Sequence, residues 1–117
     1  HGPEVFVTSL TGDNVRVYPM EVWMEVERKL AAMPNSHPSK IRFVNRVQFY
    51  GQATAWDKQG RLLIPASLRE SAGMNGSVDV LGQFNFLEIW NHDRMLEKLS
   101  KEPFTEEDGR ALSEFGI

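Results

Sequence analysis

The stretch TAWDKQGRLLIP, Thr54–Pro65, carries an acidic and a basic residue on the two sides of a turn signal. Asp57 and Arg61 stand four residues apart around Lys-Gln-Gly. Across such a turn, the carboxylate can accept hydrogen bonds from backbone N–H groups and pair with the arginine. The pair is either purely structural, worth about 0.2–1 kcal/mol if exposed, or a brace that holds Lys58, Gln59 and Arg61 toward phosphates and base edges.

The same stretch predicts a β-hairpin followed by a short helix. Gly60 supplies the positive φ that the turn requires, and Arg61–Ile64 forms the return strand. Pro65 suits the first turn of a helix, where its missing N–H costs nothing. The helix then runs through ASLRESAG and ends with Gly73 as its C-cap.

Outward from this stretch, residue spacing predicts two further strand pairs and four further helices. The strands are EVFVTSL, NVRVYP, SVDVLG and FLEIW. One helix follows Pro19, and a second begins after an N-cap at Ser36 or Ser39, with Ile41, Val44 and Val47 on one face. A third is DRMLEKLS, and a Thr105-to-Asp108 capping spacing predicts a fourth in the tail.

The two strand pairs belong to an internal repeat. Tyr18 corresponds to Trp90, and Trp23 to Met95, in two strand–strand–helix units. The second unit has the Asp57 stretch ahead of it, whereas the counterpart for the first would fall before His1. We interpret the sequence as a duplicated module, although two amphipathic units can also resemble each other by chance.

Charge is unevenly distributed. Residues 37–70 contain six basic and two acidic side chains, a net +4, which leaves −7 for the rest of a chain whose total is −3. This distribution favours one basic segment with a function in an otherwise acidic chain. The alternative is that the lysines and arginines only solvate helix faces. The second description fits Lys40, Arg42 and Arg46 better than phosphate contact does.

Enzyme, metal and cofactor classes have little support. The chain has no cysteine, no glycine-rich phosphate loop and no metal-ligand spacing. His37 lies in a Pro/Ser turn, and His92 stands beside Asp93 at a helix start, so both are best explained as solvated histidines. The acidic run Glu106–Asp108 fits a helix start. Five aromatic residues are assigned to the core or to subunit interfaces: Trp23, Trp56, Trp90, Phe84 and Phe86.

With these residues in place, the sequence resembles the MraZ family, which are bacterial transcriptional regulators of the AbrB/SpoVT type. DKQGRLLIPASLRESAG followed by VDVLGQFNFLEIWN resembles the second half of the family, and VTSL…VRVYPMEVWMEVERKLAAMP the end of its first half. The motif is Asp57 and Arg61 followed by Ile64, Pro65, Leu68 and Arg69. The similarity spans nearly the whole chain.

The resemblance implies an α+β fold of AbrB-like swapped-hairpin β-barrel modules, two per full chain, with connecting helices. It implies an incomplete first module at 1–48, whose motif precedes His1, a second module at 49–100 and a tail at 101–117. It also implies ring-shaped homo-oligomers that bind direct repeats in the promoter of the division and cell-wall gene cluster.

We therefore expect a cytoplasmic, nucleoid-associated DNA-binding regulator with no cofactor, no metal and no membrane or small-molecule partner. Lys58, Gln59 and Arg61 would contact double-stranded DNA. The structural residues of the motif would be Asp57, Gly60, Pro65 and Arg69. The alternative is an AbrB-like protein-interaction module, of antitoxin type or an oligomerisation scaffold, without specific DNA binding.

Overall fold

The computed structural model describes residues 3–117 and has a mixed α+β fold, as expected. In chain order the elements are β1 Glu4–Thr8, β2 Val15–Pro19, α1 Met20–Ala31, α2 Pro38–Tyr50, β3 Gln52–Ala55, α3 Ala66–Ser71, β4 Val78–Gly82, β5 Leu87–Asn91, α4 His92–Lys101 and α5 Glu106–Ser113. None of the helices in this range is long and apolar enough to cross a membrane.

Within residues 3–117, five strands form one antiparallel sheet in the order β3-β1-β2-β5-β4. The sheet takes β1 and β2 from the first predicted module and the other three strands from the second. β3 belongs to the Asp57 stretch but lies along β1, with Val5 opposite Thr54. The elements are thus interleaved between the two segments, while their division into AbrB-like modules stays a prediction.

The contact between β2 and β5 has a local two-fold symmetry. Its residue pairs are Val15–Ile89, Arg16–Glu88 and Val17–Leu87. Because the repeat aligns Tyr18 with Trp90, Arg16 corresponds to Glu88, and the outer two pairs exchange with each other when the repeats are swapped. The axis passes through the pair formed by Arg16 and Glu88, whose Nε and Oε2 atoms lie 3.6 Å apart. In both repeats the strand pair leads into a helix, α1 or α4.

The repeats differ in what covers them. Val5 and Val7 of β1 are 4% and 0% exposed, but their counterparts Val78 and Val80 of β4 are 40% and 58% exposed. β3 lies along the outer edge of β1, and within residues 3–117 no strand lies along the outer edge of β4. One half of a symmetric framework is therefore covered and the other half is open.

The core has two clusters that meet at the sheet. The first joins strand residues to α3, and its buried members are Val5, Val7, Val15, Val17, Leu68, Ala72 and Ile89. The second packs α1 and α2 against the sheet around Tyr18, Trp23 and Val47. Phe6 stacks on Trp23 with ring centroids 4.3 Å apart.

Four of the five aromatic residues assigned to the core or to subunit interfaces pack in the core, and the fifth is exposed. Trp23 and Trp90 are buried, and Trp56 and Phe86 are half-buried against the core clusters. Phe84 is fully exposed at the tip of the β4–β5 turn, with a φ of +69°. Phe84 therefore lies outside the core, and its assignment to a subunit interface stays a prediction.

Two local predictions are also wrong. Arg61–Ile64 forms no strand, because β3 pairs with β1 instead, and Leu62 and Ile64 turn toward the first core cluster. The N-cap of α2 is His37, whose Nδ1 accepts the backbone N–H of Ser39 at 3.1 Å.

One helix face and one helix end also differ from expectation. Of the face predicted for α2, Val47 is buried but Ile41 is 46% exposed. At the end of α3 the C-cap is Ala72, and Gly73 follows it with a φ of +67°. The capping box of Thr105 and Asp108 is confirmed.

Candidate nucleic-acid interface

The loop from Asp57 to Arg61 is closed by its own backbone. The N–H of Gly60 donates to the carbonyl of Asp57 at 3.1 Å, and the N–H of Asp57 donates to the carbonyl of Arg61 at 2.9 Å. Gly60 has a φ of +75°, which confirms the conformation predicted for it. The loop therefore has a defined turn shape although no strand ladder continues beyond it.

The Asp57 carboxylate organises this loop with three hydrogen bonds. Oδ1 accepts the backbone N–H groups of Gln59 at 2.9 Å and Arg61 at 2.8 Å. Oδ2 accepts Nε–H of Arg61 at 2.8 Å. These bonds, led by the backbone N–H of Arg61, hold the pKa of Asp57 below its ordinary value. The bracing role predicted for Asp57 matches this geometry.

Arg61 is held in place and still accessible. Its side chain is 74% exposed, and Nη2 donates to the Gln59 side-chain oxygen at 2.6 Å. A guanidinium has five N–H donors, and the bonds to Asp57 and Gln59 use two of them, so three have no partner within residues 3–117. A fixed arginine with three unused donors can bind a phosphate or a guanine edge.

The other two predicted contact residues have different surroundings. Lys58 is exposed at the turn and can supply a positive charge. Gln59 is also exposed, but its side-chain oxygen is occupied by Arg61, which leaves its amide N–H₂ as the group available to a partner.

The loop is anchored by α3, which begins directly after Pro65. Pro65 is the N-cap residue of α3, one position before the helical turn predicted for it. Leu68 is completely buried, whereas Arg69 points to solvent. At the other end, Gly73 and Met74 donate to the carbonyls of Glu70 and Arg69 at 3.2 and 2.8 Å, which is a Schellman motif.

Both repeats hold the end of α3. From the first repeat, the carbonyl of Gly12 accepts Oγ–H of Ser71 at 2.5 Å. From the second, Arg94 donates to the carbonyl of Ser71, and Asn91 Nδ2 donates to the carbonyl of Gly73, each at 2.9 Å. The candidate DNA-facing loop is therefore positioned by a helix that is clamped between the two repeats.

Sequence reasoning missed Ser71, Asn91 and Arg94. Asn91 also caps α4 by accepting the N–H of Arg94 at 3.0 Å, and an asparagine just before a predicted helix was a usable signal for that role. No local pattern signals the long-range bonds to α3.

Of the basic residues of α2, two have the solvated positions expected for them and Lys40 does not. Lys40 is half-buried and donates to the carbonyl of Met33 at 3.0 Å and to the Asn35 side chain at 2.9 Å, so it fastens the connection between α1 and α2. Arg42 and Arg46 are exposed.

The histidines and acidic side chains form no metal site in the described part of the chain, where no group of three or more potential ligands is found. His37 is exposed, as expected, and it also caps α2. His92 lies 2.9 Å from Asp79 of β4, in an exposed pair.

Residues 51–115 match a protein-family model described as "MraZ protein, putative antitoxin-like". The chain belongs to the MraZ family. This matched region contains the whole Asp57–Arg61 loop, α3, the second repeat and α5.

Relatives extend the similarity over the rest of the chain. A protein named transcriptional regulator MraZ from Acidobacterium capsulatum is 44% identical over 117 residues, which is 100% of this chain and 80% of that protein. Proteins of the same name from Koribacter versatilis and Halothermothrix orenii are 41% and 38% identical. They cover 96% and 86% of this chain, and 76% and 71% of their own lengths.

Proposed function

We propose that this protein is a transcriptional regulator that binds double-stranded promoter DNA through the Asp57–Arg61 loop. The observation that carries the proposal is the braced arginine: Arg61 is fixed by Asp57 and Gln59, yet 74% exposed with three unused donors. Relatives named transcriptional regulator MraZ support the regulatory role. Arg61 would read a base edge or a phosphate, and Lys58 and Gln59 would add contacts.

The proposed target is a set of direct repeats in the promoter of the division and cell-wall gene cluster. The protein would act in the cytoplasm, associated with the nucleoid. One loop gives few contacts, so useful affinity requires several loops on one assembly, hence a homo-oligomer, which we propose to be a ring.

We further propose that the open half of the framework seats a second strand–loop–helix unit of the Asp57–Arg61 type. The local two-fold axis supports this, because β3 and α3 cover Val5 and Val7 while Val78 and Val80 are exposed. Such a unit would lie along the outer edge of β4 and cover Phe84. It would place a second arginine-bearing loop on the opposite side of the axis.

The DNA proposal is tested by fluorescence anisotropy with a labelled promoter duplex that carries the direct repeats, against a scrambled duplex, over a range of salt concentrations. Salt-sensitive binding that is tight for the repeats and weaker for the scrambled duplex is expected, and Arg61→Ala should lose about 1–3 kcal/mol of the binding to the repeats. Arg28→Ala is the matched control, because Arg28 is 73% exposed and also paired with an acid, Glu25.

Lys58→Ala separates phosphate contact from base reading. It should weaken binding to both duplexes similarly and lower the salt slope by about 0.9 for each phosphate that Lys58 neutralises in the wild type. Equal affinity for both duplexes, or an effect of Arg28→Ala as large as that of Arg61→Ala, would refute the DNA proposal.

A second candidate is a protein-interaction module. It is favoured by the fully exposed Phe84, held at a φ of +69° at the tip of its turn, and by the antitoxin-like description of the family model. This function predicts assembly or partner binding that Phe84→Ser impairs, with no preference between the two duplexes.

A further inference from the structure

Large apolar side chains are exposed on the C-terminal helix α5 and on the residues that flank it. Every residue of α5 is exposed except Gly109, which is half-buried. Phe104, Leu112 and Phe115 are 72%, 37% and 81% exposed. We use the name acidic ridge for these three residues together with the charged side chains between them, which are Glu106, Glu107, Asp108, Arg110 and Glu114. Residues 102–117 hold five acidic side chains and one basic, a net −4.

A groove that carries basic rather than acidic side chains lies between α1 and α2. Its volume is about 430 Å³. Its walls are apolar and carry two lysines, the lining residues being Val26, Lys29, Leu30, Met33, Ser39, Lys40 and Phe43. The segment Met20–Tyr50 holds five basic and three acidic side chains, a net +2.

We propose that the acidic ridge of one copy of this protein docks into the α1–α2 groove of another copy. Both surfaces carry large apolar side chains, and the net charges of the two segments are opposite, so the surfaces complement each other. Within the chain they do not meet, since Phe104 and Phe115 stay exposed.

The proposed contact is head-to-tail. Each copy offers one ridge and one groove, so each copy binds two neighbours through different surfaces, and a series of such contacts either closes into a ring or extends as a filament. The inference rests on the proposed assembly and supplies its interface, but it is independent of DNA binding.

Two variants block one surface each. Phe115→Glu blocks the ridge, and because Phe115 is 81% exposed this change should leave the fold intact. Met33→Glu blocks the groove, and Lys29→Glu, at an exposed position, is a milder second groove variant in case Met33→Glu disturbs α1. Phe49→Glu is the matched control, since Phe49 is 74% exposed and outside the groove lining.

The assay is analytical ultracentrifugation of the 117-residue protein, with circular dichroism to verify folding. The wild type and Phe49→Glu should assemble to the same extent. Phe115→Glu and each groove variant alone should raise the dissociation constant about tenfold or more. An equal mixture of Phe115→Glu and Met33→Glu should form a 1:1 dimer and nothing larger, because one intact ridge and one intact groove remain.

The proposal is overturned if the wild type stays monomeric, if Phe49→Glu disrupts assembly as much as Phe115→Glu, or if the mixture forms no dimer. DNA anisotropy on the same samples keeps the two proposals distinguishable. Failure of the wild type to prefer the direct repeats would count against the DNA proposal alone, because the sedimentation result does not involve DNA.

Discussion

Leu68→Ala tests whether α3 anchors the loop through the core. The Leu68 side chain is 0% exposed and belongs to the first core cluster. The substitution removes three carbon atoms, worth about 0.8 kcal/mol each on transfer, hence roughly 2.4 kcal/mol before any cavity cost. Cavity costs place buried Leu-to-Ala changes at about 2–5 kcal/mol. Because α3 is only six residues long and can move inward, we expect about 2.5–3.5 kcal/mol.

The assay is urea unfolding followed by tryptophan fluorescence, at one protein concentration because assembly would shift the apparent stability. Leu63→Ala is the matched control: the same chemical change five residues earlier, at a side chain that is 66% exposed, should cost less than about 0.5 kcal/mol. The reasoning is refuted if Leu68→Ala costs no more than Leu63→Ala. A loss of DNA affinity in folded Leu68→Ala protein would further indicate that the anchor positions Arg61.

Three smaller predictions concern the turns and caps. Gly60→Ala should destabilise the protein by about 1–2 kcal/mol in the same unfolding assay. A Cβ at this position meets no atom of the described residues within 4 Å, so only the φ of +75° opposes the substitution. Gly76→Ala, equally open and without positive φ, should be neutral or slightly stabilising. His37→Ala should remove the N-cap of α2 and lower the free energy of unfolding by about 0.5–1 kcal/mol, measured by thermal melts. His37→Asn should keep most of the wild-type stability, because asparagine is also a good N-cap. Because the pKa of Asp57 is lowered in the folded state, its carboxylate stabilises that state fully at pH values above the ordinary aspartate pKa. This stabilisation is lost as the pH falls through the lowered pKa of Asp57. The difference in melting temperature between wild type and Asp57→Asn should therefore shrink as the pH drops from about 5 to about 3, and a constant difference would contradict the assignment.

The elements predicted correctly are those whose signal is local. Alternation marked β1, β2, β4 and β5, helical spacing marked α1 and α4, and a three-residue capping pattern marked the start of α5. The repeat was visible in sequence because Tyr18 and Trp90 are buried at equivalent places. The Asp57 brace was also predictable, since all of its partners lie within four residues.

The strand predicted after Arg61 and the clamp on α3 depend on distant contacts, whereas the cap of α2 depends on a local one. The apolar run after Arg61 looks like a strand, but β3 finds its partner in β1, nearly fifty residues earlier, and Leu62 packs as irregular chain instead. The clamp on Ser71 comes from Gly12 and Arg94, which no local pattern connects. The cap by His37 depends on which ring nitrogen accepts, a choice that sequence does not reveal.

The pair on the local two-fold axis gives the duplicated framework a way to avoid assembly errors. If two first repeats from different copies paired through β2, Arg16 would face Arg16 at the crossing point, and two second repeats would set Glu88 against Glu88. Like charges directly opposite each other in a ladder are destabilising. Only the joining of a first repeat to a second puts opposite charges there, 3.6 Å apart. Divergence at one symmetric position thus makes each sheet a union of unlike halves, because pairing of two like repeats from different copies would set like charges opposite each other.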